Sequence, residues 1–232
     1  MNSRPSLQPK ALVKAVLDRS LESQRPLAIK NVQRLRHVHP DKAPEELITL
    51  LNRYYLGVVT TTGAGAGMAA VVPNGVAQGT ATIADLGTSL EASIFYILSI
   101  FEVYGIDIED IERRRFLVLT AMLGENAASQ TINSLAERSV PYWSKKIIQS
   151  IPMSTISAAN KVLGPRFITK YGAKQGVLVL GKQLPLCIGA GIGAGGNALI
   201  GWGVIKTARR ILGPAPSSWT EVDSPAISRT DL

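Results

Sequence analysis

The chain has 232 residues, 46% of them hydrophobic and 18% charged, with a formal net charge of +8 and one cysteine. That balance excludes an intrinsically disordered chain, and the length favours one sizeable domain with extensions. A lone Cys187 excludes an intramolecular disulfide, and with only two histidines beside it a Cys/His metal site is not expected; nor is a cofactor.

The opening MNSRPSLQPKALVKAV lacks the continuous apolar run and small-residue cleavage site of a secretory signal, so a cytoplasmic orientation is expected. Residues 1–43 read as a basic N-terminal helical extension. Eight Lys/Arg face only Asp18 and Glu22 over the first 40 residues, and the apolar spacing predicts helices over Ala11–Leu21 and Pro26–Val38. His37 and His39 fall on different helix faces, which suits a solvated basic surface rather than ligation.

Residues 44–212 read as the helical core. Helices are expected from Pro44 to about Val72, Asn74 to about Tyr104, Ile108 to Leu123 and Asn126 to Ser139, with Pro141, Pro152, Pro165 and Pro185 punctuating shorter ones. The acids Asp107, Glu109, Asp110 and Glu112 suit the positive end of a helix dipole. VLVL at 177–180 is the one credible strand and reads equally well as a buried helical turn. Residues 213–232, rich in Pro, Ser and Thr, read as a flexible tail with Trp219 its only docking side chain. The expected fold is all-α, a compact multi-helix bundle.

Two long uncharged stretches stand out. One lies between Arg53 and Asp85, the other from Gln183 to Ile205 between Lys182 and Lys206. Gly191, Gly193 and Gly196 fit GxGxxG, but no strand precedes them and no acid follows before Glu221, so a nucleotide site is not supported. Glycines four apart share a helix face: Gly63 with Gly67, Gly189 with Gly193, Gly191 with Gly195. Together with Gly65 they predict that the two stretches pack closely as helices. Residues 184–205 reach the ~20-residue length of a membrane span. Gly, Asn197 and Pro185 dilute their hydrophobicity, and peripheral attachment ranks above spanning.

LNRYYLGVVTTTGAGAGMAAVVP, then ATIADLGTSLEASIFYILSIFEVYGID, then LPLCIGAGIGAGGNALIGWGVIKTA resemble the EcsC family of bacterial helical proteins. The resemblance covers about Pro44 to Leu212. It implies association with membranes and with an ABC-type exporter, without an established reaction.

Asp85 is the first charge after the neutral run. It admits two readings, a solvated or capping position at a helix entrance, or a buried carboxylate whose preferred partner is Asn197. A hydrolase-like reading would pair Asp85 with Glu91 as acid and base, but no nucleophile, metal cluster or oxyanion feature joins them. From 138 to 212 there are eleven basic residues and no acid. Trp143, Lys145, Lys146, Lys161, Arg166, Lys170 and Lys174 are the candidates for contact with an anionic membrane surface, and a transporter or other membrane protein is the expected partner. Nucleic acid is the rival partner for such charge, but no reading element accompanies it.

Overall fold

Apolar side chains recur every three or four residues through most of the chain, and helices form where a proline or a polar cap opens such a run. The computed structural model describes residues 9–69, 75–106, 109–124, 145–182 and 186–223, with side-chain surroundings for 10–61, 87–106, 109–124, 148–172 and 195–223. Among the described residues there are nine helices and no strand: α1 (Pro9–Ser23), α2 (Arg25–Val38), α3 (Pro44–Ala69), α4 (Gly75–Val103), α5 (Ile111–Leu123), α6 (Lys145–Ser150), α7 (Met153–Lys182), α8 (Leu186–Leu212) and α9 (Trp219–Asp223). The all-α expectation holds. The expected helix over Asn126–Ser139 lies outside the described residues.

Local chemistry explains the boundaries. Glu46 reaches back to accept from the Ala43 N–H at 3.0 Å, half of a capping box at the entrance to α3. Asp110 caps α5 by accepting from the Arg113 N–H at 2.7 Å, and Gly124 closes that helix at φ 98°. VLVL at 177–180 takes the helical of its two readings, whereas one expectation fails inside α7: Pro165 does not end a segment but lies within a helix of 30 residues. Pro165 sits on the water-facing side beside exposed Lys161, so the Lys161 carbonyl that loses its helical donor can be hydrated.

One hydrophobic core joins these helices. Leu47, Ile48 and Leu51 of α3, Ile94, Ile97 and Phe101 of α4, Phe116 and Leu117 of α5, and Leu163 and Phe167 of α7 are all buried in it. Val13, Leu17 and Leu21 of α1 and Val32 and Leu35 of α2 belong to the same cluster, and both helices lie against α4. Residues 1–43 are therefore not an appendage as far as they are described. The buried Arg114 guanidinium strengthens that attachment by donating to the Leu21 and Glu109 carbonyls, which joins the end of α1 to the entrance of α5.

The tail expectation is also corrected. The Trp219 indole donates to the Lys42 carbonyl at 2.9 Å, and the Arg36 guanidinium stacks 4.1 Å above its ring. Arg36 then forks onto Asp223 at 3.2 and 2.9 Å, while Val222 is buried. Gly105, at φ 63°, allows this docking, because a Cβ there would stand 2.7 Å from the Val222 carbonyl oxygen. Residues 224–232 lie outside the described residues.

The most extensive helix pair is α3 with α8, the helices that carry the two uncharged stretches. The observed point of close approach is Gly201, where a Cβ would stand 2.9 Å from Val59 Cγ2 and 3.3 Å from Leu56 Cδ2. Gly195 was expected to serve such packing and does not. It is exposed and a Cβ there would meet nothing within 4 Å, because it lies on the outward side of α8. The surroundings of Gly63, Gly65, Gly67, Gly189, Gly191 and Gly193 lie outside the described residues. Gly201→Leu is expected to lower stability by about 1–3 kcal/mol through overpacking against a stiff valine. Gly195→Ala is expected to raise it by up to about 1 kcal/mol through helix propensity. Thermal unfolding of the two variants, moving in opposite directions from the parent chain, checks both.

Candidate functional site

A helix turns 100° per residue, so the inward set of Asn197, Gly201, Val204 and Ala208 leaves Leu199, Trp202, Lys206 and Arg209 pointing away from the bundle. Leu199 is 74% exposed and Trp202 56%. The Lys206 ammonium stands 5.3 Å from the centre of the Trp202 ring. Neither Lys206 nor Arg209 forms an ion pair among the described residues. The result is an apolar patch bordered by cations, the composition of a helix face that lies at a bilayer boundary. This face is not among the candidates that composition suggests, because the glycines of the same helix carry the stronger signal. Its signal is the three- and four-residue spacing of 199, 202, 206 and 209.

The residues expected at a membrane surface divide. Lys161 and Arg166 are exposed on α7 with Val162 and Pro165 between them. Lys170 is not available. Its ammonium donates to the Met122 and Leu123 carbonyls at 2.9 and 3.0 Å, where the end of α5 leaves carbonyls without helical partners. Trp143 and the side chains of Lys145, Lys146 and Lys174 lie outside the described residues.

Asn197 is buried, as expected, and its amide donates to Ser89 Oγ on α4 at 3.3 Å. Asp85 is well inside α4 and not at a helix entrance or cap, since Gly79 and Gly87 do not interrupt the helix. Its side chain, and with it the expected pairing to Asn197, lies outside the described residues. Ser89 is one helical turn further along α4.

The interior polar groups are arranged for structure. Tyr55 and Tyr96 stack with ring centres 4.4 Å apart, and their hydroxyls bond Ser93 and Asn52, each at 2.7 Å. Burial pushes the Tyr55 hydroxyl up to about 12 and raises Tyr96 further from physiological range, so neither serves as a base at neutral pH. Among the described residues no group of three His, Cys, Asp or Glu side chains could hold a metal ion, and no helix is long and apolar enough to cross a membrane. Comparison with protein-family models, curated proteins and solved structures gives no match.

Half-buried Glu102 lies beside the docked C-terminal helix, with Arg36 and Asp223. Burial holds its carboxyl above the usual carboxylate range, the Arg25 and Arg36 charges offset part of that rise, and Asp223 adds to it. The folded state thus holds this proton more tightly than the unfolded state. Its contribution to stability is present below the unfolded value of about 4.3 and is lost as pH rises through the raised folded value. Glu102→Gln removes the titration. Melting temperatures taken from about pH 4 to pH 7 should show the variant gaining on the parent chain as pH rises, and a gap of opposite slope contradicts the assignment.

Proposed function

We propose that this protein is a non-enzymatic helical module that attaches to an anionic membrane surface and serves a membrane protein there, in the manner its EcsC resemblance implies for an ABC-type transporter. The observation that carries this reading is the outward face of α8, with Leu199 and Trp202 exposed beside Lys206 and Arg209. Each basic residue near an anionic surface contributes about 1 kcal/mol, and a salt-screened attraction of that kind needs an anionic lipid. Exposed Lys161 and Arg166 add charge of the same sign, within a region of eleven basic residues and no acid from 138 to 212.

Flotation with phosphatidylcholine vesicles, with and without phosphatidylglycerol, tests the reading. The chain is expected to float only with the anionic vesicles and to detach as salt rises. Trp202→Ala should weaken binding, and Lys206→Glu with Arg209→Glu should weaken it by about tenfold or more. Equal flotation with neutral vesicles at high salt would mean insertion. Salt-sensitive retention of an RNA or DNA fragment, with no vesicle binding, would favour the nucleic-acid reading. Hydrolytic turnover abolished by Asp85→Asn in a folded chain would restore the enzyme.

A further inference from the structure

Helices α2, α3 and α4 leave a groove of about 370 Å³ between them, within the size range of small-molecule sites. Its walls carry four aromatic rings, Tyr54, Tyr55, Phe95 and Tyr96. Tyr55 and Tyr96 are buried, stack on each other and have their hydroxyls bonded to Ser93 and Asn52, so they form the floor, while exposed Tyr54 and half-buried Phe95 present the accessible ring surface. Glu91 is the sole charged side chain lining the groove, and it forms no ion pair among the described residues. Gln24 also lines it.

The chemistry of the walls selects among ligands. An anion would meet the Glu91 carboxylate and be repelled. A neutral apolar molecule would strip water from Glu91 and return no partner, which is costly. A cation with an apolar exterior satisfies both features at once: the carboxylate by charge, and the Tyr54 and Phe95 rings through their negative faces. A primary ammonium would need several acceptors for its three N–H groups, whereas a quaternary ammonium needs none and presents methyl groups to the rings. The carboxylate also stands out in a chain of net charge +8, whose long-range field does not favour cations. We propose that this groove binds a free quaternary ammonium compound, held by Glu91 and the Tyr54 and Phe95 rings. The proposal is independent of the membrane-surface reading, which rests on α8.

Isothermal titration of the full chain with choline tests it, with 3,3-dimethylbutan-1-ol as the neutral isostere. Choline is expected to bind saturably, and the isostere about tenfold more weakly or less. Glu91→Gln should weaken choline binding about tenfold, and Tyr54→Leu, at an exposed position, several-fold. Circular dichroism confirms that each variant keeps its helices. No saturable choline binding, equal affinity for the isostere, or an unchanged affinity in folded Glu91→Gln overturns the proposal. Phosphatidylcholine vesicles that displace choline would assign the groove to a lipid headgroup and overturn the free-ligand assignment, whereas vesicles without effect support it.

Discussion

Where α8 crosses α3, Gly201 leaves no room for a side chain, and Val59, Leu56 and Tyr55 occupy the space that one would need. Such a contact sets the rotation of α8 about its own axis as well as its distance from α3. With Gly201 turned inward, Val204 and Ala208 enter the core and Asn197 reaches Ser89 on α4. The same rotation obliges Leu199, Trp202 and Lys206 to face outward. A residue with a Cβ at 201 would separate or rotate the pair and change both faces together. The contact thus ties the packing of the core to the surface that meets the surroundings.

The pairing of α3 with α4 has a second consequence. Tyr55 and Tyr96 stack between these helices, and Asn52, Ser93 and Ser89 satisfy the polar groups that this brings inside. Burial raises the pKa of both hydroxyls, and their internal partners tie α3 to α4. The rings also line the groove that holds Glu91. The groove and the outward face of α8 thus lie on different helices.

Much of the helical framework was legible from periodicity, since runs such as Leu12–Leu21 and Leu47–Leu51 bury their apolar stripes as their spacing implies. The acidic start of α5 and Trp219 as a docking side chain were legible as well, although α5 opens at Ile111 with Asp110 as its cap rather than at Ile108. Errors arose where a local signal was outweighed by tertiary contact. Pro165 is tolerated inside α7 because its side of the helix meets water, and the tail is held because Arg36, remote in sequence, meets both Trp219 and Asp223. Lys170 reads in sequence as one more surface cation, but its place above the carbonyl end of α5 occupies it. Glycine spacing indicated a close helix contact but not its position: among the described glycines, Gly195 faces outward and Gly201 makes the contact. The Glu91 groove had no sequence signal, because its residues come from three helices.

The emission of Trp202, in a chain whose Trp143 and Trp219 are replaced by Phe, tests the membrane-facing role of α8 most directly. Trp202 is now largely exposed, so its emission should lie at long wavelength and respond to aqueous quenchers. On addition of phosphatidylglycerol-containing vesicles at low salt it should shift to the blue and lose that quenching, then recover as salt is raised. Emission that stays unchanged with anionic vesicles in a folded chain, or shifts equally with neutral ones, would contradict it.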